Sequence, residues 1–238
     1  MNNTVRKITI TAMLLALTII FTKVLGINPG FWAVRISFGP ALIILSSLYL
    51  GPVYGLIVGA GSDVLGALIF PTGEYQPLFT LVYGLLGVFP WVLNFIFKKI
   101  NKPKLDTIIF NVFLALWLCV VLTIVWCFPQ IDKMAMQIIY SAVAVALTIG
   151  TSISIFFINK FFKNRNSEYD GRFYRYALVC MCVEIAVMVF GNSLVKSFHF
   201  EQPYLLMIEW MGLVSFINIP VNSFGSYYLE LLLQKIKH

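Results

Sequence analysis

Apolar residues run along this chain in blocks of about 17 or more, a length suited to helices that cross a bilayer. Short stretches rich in charge, Pro and Gly separate the blocks. A hydrocarbon core about 30 Å thick needs about 20 helical residues at 1.5 Å of rise each. The pattern predicts helices near 7–26, 36–50, 52–70, 78–98, 106–128, 134–160, 174–198 and 204–233. That is an even number, so both termini return to one side. The second helix is short and carries Pro40. The first is threonine-rich, carries Lys23 and is followed by no small-residue cleavage site, so it reads as a retained membrane helix rather than a signal peptide. The expected fold class is therefore all-α: a polytopic integral membrane helix bundle forming one membrane domain over 1–238.

Composition agrees. Hydrophobic residues make up 60% of the chain and charged residues 11%, against about 25% charged in soluble domains. Mean hydropathy is +0.88. No stretch is left for a separate soluble domain.

The net charge of +7 could suggest a nucleic-acid partner, but the positive-inside rule accounts for it better. Thirteen of the 17 Lys and Arg residues fall on the side of the termini. These are Arg6, Lys7, Lys98, Lys99, Lys102, Lys104, Lys160, Lys163, Arg165, Arg172, Arg175, Lys235 and Lys237. Only Lys23, Arg35, Lys133 and Lys196 fall on the other. Both termini are thus expected in the cytoplasm of a multi-pass cell-membrane protein, and no nucleic acid is expected as a partner. The basic loops 98–105 and 160–173 suit contact with anionic lipid.

Familiar chemistry is absent from the sequence. Cys119, Cys127, Cys180 and Cys182 all lie in apolar blocks and read as packing residues. There is no G-x-x-x-x-G-K-[ST], no G-x-S-x-G, and neither His199 nor His238 lies in a zincin motif. No catalytic set, metal site or cofactor is expected.

Two short connections on the side away from the termini carry the candidate chemistry. One is "INPGFWAV", Ile27–Val34, ending at Arg35; the other is "PTGEYQP", Pro71–Pro77. Both combine turn residues with aromatics that can stack on a flat ligand. Arg35 reads either as a snorkelling anchor or, beside Phe31 and Trp32, as a forked contact for a planar anion. Asp63 stands in an apolar helix, where a charge costs about 2.5–3.5 kcal/mol on insertion scales. It reads as an internal polar anchor or as a ligand contact. Glu184, Glu209, Asn192 and Asn218 are further polar groups inside late apolar blocks. Small residues line two helices: Ala12 and Ala16 share a face of the first, and Gly55, Gly59, Ala60, Ser62, Gly66 and Ala67 thin the third.

The segment "VRISFGPALIILSSLYLGPVYGLIVGAGSDVLGALIFPTGEYQPLFTL", residues 34–81, resembles the substrate-binding (S) component of energy-coupling factor vitamin transporters, and within them the folate family. The family pattern is matched at Arg35-Ile36-Ser37-Phe38-Gly39, at Gly51-Pro52-Val53-Tyr54-Gly55, at Gly59 with Asp63, and from Phe70 through Leu81. Ala12 and Ala16 fall where the family has its docking motif. The resemblance covers about the first hundred residues. It implies a six-helix core in which 1–104 is the N-terminal half and 165–238 the C-terminal helices, with 105–164 a two-helix insertion. It implies capture of a vitamin, folate or a pterin relative, from outside. A membrane coupling protein and two cytosolic ATPases would then drive uptake. Ligand contacts would fall to Phe31, Trp32, Arg35, Phe70, Thr72, Gly73, Tyr75 and Asn192, with Ala12 and Ala16 docking on the coupling protein and Asp63 structural. Two other readings compete: an intramembrane enzyme using Asp63, Glu184 or Glu209, and a membrane scaffold or sensor that does not transport.

Overall fold

The computed structural model describes residues 3–27, 36–71, 75–98, 103–127, 134–165 and 172–235. Among them the chain forms eight helices. They are α1 (Asn3–Ile19, continued as π-helix over Ile20–Val24), α2 (Gly39–Leu50), α3 (Pro52–Ile69), α4 (Pro77–Lys98), α5 (Pro103–Cys127) and α6 (Met134–Arg165). The last two are α7 (Phe173–Phe200, π-helical over Glu184–Gly191) and α8 (Tyr204–Lys235). All but α2 are long and apolar enough to cross a membrane. The eight helices expected from the apolar blocks are therefore present, and the protein is a multi-pass membrane bundle. The second helix begins at Gly39 rather than near 36, because Ile27 and Ile36 exchange two backbone hydrogen bonds of 2.8 and 2.9 Å. Residue 36 is thereby held in extended pairing.

The helix with the least polar sequence sits deepest. α2, GPALIILSSLYL, is apolar on every side, and ten of its 12 residues are buried. It packs against α1, α3, α4 and α8. Gly51 alone separates it from α3, at φ 113°, a backbone conformation that favours glycine. α7 is the other interior helix; nearly every residue of Phe173–Val183 is buried. α5 and α6 pack on each other and on α7 and α8, sharing one apolar core through Phe110, Trp117, Ile155 and Phe162. A second core joins α1–α4 to α7.

Contact pairs fix the directions. Lys7 lies over the Tyr54 ring, Leu15 meets Gly61 and Lys23 meets Gly66, so α1 and α3 run parallel. Ser47 meets Gly55 and Ile43 meets Gly59, so α2 runs back beside them. Hydrocarbon supplies no hydrogen-bond partner. The threonines accordingly donate to carbonyls one turn back: Thr11 to Lys7, Thr18 to Leu14 and Thr22 to Thr18, each at 2.7 Å.

The tightest seam joins α3 to α4. A Cβ at Gly55 would strike the Gly87 carbonyl, one at Gly59 the Tyr83 carbonyl, and one at Gly87 the Gly55 carbonyl. Backbones this close require glycine. We predict that Gly59→Ala and Gly87→Ala each lower stability by about 1–3 kcal/mol, as overpacking does. Gly150→Ala, whose Cβ would meet nothing within 4 Å, should be neutral or stabilising. Thermal unfolding midpoints in detergent would read this, and equal midpoints for all three would contradict it.

Candidate functional site

At the end of the bundle away from the termini, the first turns of α4 stand between α3 and α7. Thr80 on α4 donates to Asp63 Oδ2 on α3 at 2.6 Å. With its single proton spent there, Thr80 Oγ1 accepts from the Tyr75 hydroxyl, also at 2.6 Å. A two-bond relay thus ties the connection before α4 to a carboxylate six residues, about 9 Å of helix rise, below the end of α3. Lys23 adds its aliphatic stem from α1, with Cε 2.8 Å from where a Gly66 Cβ would stand. On the other flank of α4, the Phe79 ring meets His199 of α7 edge-on at 6.0 Å. Val82 lies 3.9 Å from a Cβ position at Gly191.

That contact brings Asn192 into the neighbourhood of α4. Its side chain is buried and its Oδ1 has no hydrogen-bond partner. It lies eight residues, about 12 Å, below the end of α7, a depth comparable to that of Asp63. Phe70 and Tyr75 are both exposed, at 39% and 50%. Of the residues singled out from sequence, Phe31, Trp32, Arg35, Thr72 and Gly73 lie outside the described residues. Ala12 and Ala16 occupy an exposed stripe of α1 that also holds Val5, Ile8 and Ile20. Thr11, Leu14, Thr18 and Thr22 face inward from the opposite side of that helix.

Two elements of this end were not singled out in the sequence. Thr80 is one; it falls inside the matched stretch from Phe70 through Leu81, but nothing there marks it as the partner of Asp63. His199 is the other, a ring wedged between Phe79 and Phe200. A cavity of about 600 Å³ lies elsewhere, between α6 and α8, where Gly150, Thr151, Phe216 and Pro220 line an apolar cleft. It shares no residue with the α3–α4–α7 end, and its lining is apolar apart from Thr151 and Ser154. Among the described residues no group of three or more His, Cys, Asp or Glu side chains could hold a metal. Glu184 and Glu209 are both buried, on α7 and α8; Glu184 lies 16 residues, about 24 Å, from the end of α7, deeper than Asp63, and Glu209 five residues into α8.

A family model described as ECF-type riboflavin transporter, S component, matches residues 2–162. "Folate transporter FolT" from Clostridium novyi (strain NT) is 39% identical over 93 residues, which is 39% of this chain and 52% of that protein. The match thus spans about half the length of that curated relative. No solved structure matches the chain.

The relay predicts an order of effects. Thr80→Val strands both Asp63 and the Tyr75 hydroxyl and should lower stability by about 1–3 kcal/mol. Tyr75→Phe removes one bond from an exposed ring and should cost at most about 1 kcal/mol. Detergent unfolding midpoints that fall further for Tyr75→Phe than for Thr80→Val would contradict the relay.

Proposed function

The chain belongs to the ECF-type riboflavin transporter S-component family, and from that membership we propose that it captures a vitamin, folate or a close pterin relative, at the outer membrane face. Partner subunits would energise uptake: a membrane coupling protein and two cytosolic ATPases. The observation that carries this reading is the family match over residues 2–162. The identity to a folate transporter supports folate as the vitamin. Capture of this kind makes and breaks no bond, so the chain acts without catalysis. The bias of Lys and Arg toward the termini supports their cytoplasmic placement, which makes the α3–α4–α7 end the outer one.

In this reading the vitamin sits under the connections that follow α1 and α3. Arg35 takes a ligand carboxylate or a polar ring edge. Phe31, Trp32, Phe70 and Tyr75 stack on the flat ring, and Thr72 and Gly73 contribute hydroxyl and backbone contacts. The buried, unpartnered Asn192 Oδ1 supports a role in accepting a ring N–H. Asp63 holds Thr80 and, through it, Tyr75, so it shapes the site from one layer behind. Ala12 and Ala16, exposed on a flat stripe of α1, suit close approach by the coupling protein.

Residues 105–164 are read as an added pair of helices beside a six-helix core. The family match runs through α5 and into α6. Packing nevertheless favours α5 and α6 as the addition, because α7 packs on α4 and α8 on α2 whereas α5 and α6 lie against the flank of α7 and α8.

Riboflavin is the second reading, favoured by the description of the matching family. Its ring system is also flat and hydrogen-bonding at its edges, so the aromatic walls do not separate the two. Mass spectrometry of small molecules released on denaturing the purified protein separates them. Folate in stoichiometric amount is the expected result. Riboflavin would keep the capture mechanism and replace the ligand, and an empty protein that binds neither would overturn the reading. Arg35→Ala should weaken folate binding at least about tenfold, since a forked charged contact is worth more than about 1.4 kcal/mol; unchanged affinity would remove Arg35 from the site. Ala12→Trp and Ala16→Trp should leave binding intact and abolish uptake.

A further inference from the structure

Half-way along α7 and α8 lies a second polar constellation, separate from the outer end. Glu184 Oε1 accepts from Asn218 Nδ2 at 2.8 Å, and Oε2 accepts from Asn222 Nδ2 at 3.2 Å. Glu184 and Asn222 are each 1% exposed and Asn218 5%. Asn218 and Asn222 are one helical turn apart, so both point from one face of α8 at the same carboxylate. Their other ends are unmet: Asn218 Oδ1 and Asn222 Oδ1 are buried without a hydrogen-bond partner. Each of these oxygens shares its amide carbon with a nitrogen that touches Glu184, so the two stand beside the carboxylate. Four oxygens are thus gathered in the middle of a membrane bundle around one acidic group.

Three occupants could answer this arrangement, and they differ in what they satisfy. A water molecule offers two donors and could meet both amide oxygens, but it leaves a buried carboxylate charge uncompensated, which is costly. A proton on Glu184 removes the charge but supplies one donor for two orphaned acceptors. A single alkali-metal cation balances one carboxylate and takes all four oxygens as ligands, the hard-oxygen coordination such ions use. Two cations share the helix: Arg175 lies nine residues back, about 14 Å along the axis, and meets Asp106, and Lys196 lies twelve residues on, about 18 Å.

The backbone is irregular at this level on both sides. α7 is π-helical from Glu184 to Gly191, and π segments recur at functional sites. α8 carries Pro220 between the two asparagines; the Phe216 carbonyl that its missing N–H would have met accepts from Thr151 at 2.6 Å instead. Broken helix geometry next to a buried ionisable group near mid-membrane is how transporters build ion sites. Eight and nine residues farther along α7, Asn192 Oδ1 and Ser193 Oγ are also buried and unpartnered. They mark a polar line from the outer end toward Glu184.

We propose that Glu184, Asn218 and Asn222 form an alkali-metal cation site between α7 and α8. The inference stands apart from the vitamin reading, since it uses no residue of the outer connections and its test involves no vitamin. The experiment is thermal unfolding of the full-length protein in detergent, in NaCl, KCl and choline chloride at equal ionic strength and fixed pH. Na⁺ or K⁺ should raise the midpoint saturably over choline. At about tenfold excess over the dissociation constant the rise should be roughly 3–6 °C. Glu184→Gln should abolish that difference. Asn218→Ala, a milder change, should raise the half-saturating concentration about tenfold or more. Equal midpoints in the three salts would overturn the proposal. So would stabilisation on acidification that is the same in choline as in Na⁺, the mark of a proton as occupant. A folded Glu184→Gln or Asn218→Ala that keeps the parent's salt response would overturn the assignment of the site.

Discussion

A polar group inside a bilayer must find its partner within the protein, and this requirement organises the whole bundle. Water would otherwise satisfy these groups, and hydrocarbon does not. Threonines on α1 and α6 bond their own helix one turn back. Thr151 occupies a carbonyl that Pro220 leaves open, and Ser47 accepts from the Trp91 N–H beyond Pro90. The charged groups need more than a local partner. Asp63 finds a hydroxyl on the next helix, Glu184 finds two amides on α8, and Asp106 meets Arg175 at 3.4 Å. Each of these joins two helices, so the same bonds that satisfy the charges fix how the helices sit.

Close packing then decides where those bonds can form. The α3–α4 seam brings glycine backbones together without side chains between them. With the backbones this near, Asp63 reaches Thr80 directly, and Tyr75 is held one bond farther out. Bulkier residues along the seam would move α4 outward and break the relay. The Asp63–Thr80–Tyr75 arrangement therefore depends on small residues deeper in the bundle.

The bundle also separates its tasks by face. α1 turns a stripe of small and apolar side chains outward, α2 and α7 fill the interior, and α5 with α6 cover the flank of α7 and α8. Such a division leaves the α1 stripe exposed while α5 and α6 occupy another face. Glu184 with Asn218 and Asn222 belongs to neither face, since it lies buried between α7 and α8.

Much of this was written in the sequence. Block length determined eight helices, seven of them long and apolar enough to cross a membrane, because hydrocarbon thickness acts on composition directly. Asp63, Glu184, Asn192 and Asn218 stood out for the same reason: a polar residue in an apolar block is conspicuous wherever it lies. Asn222, one turn from Asn218 on the same face, was not singled out in the sequence. The pairings were not legible. Thr80 became the partner of Asp63, and two asparagines became the partners of Glu184, only through the registers of α3 against α4 and of α7 against α8. Those registers come from glycine contacts, a π-helical segment and a proline acting together across distant parts of the chain. Sequence settled which groups would have to be satisfied, and the tertiary structure alone decided by whom, because partners in a membrane are assigned by how helices cross.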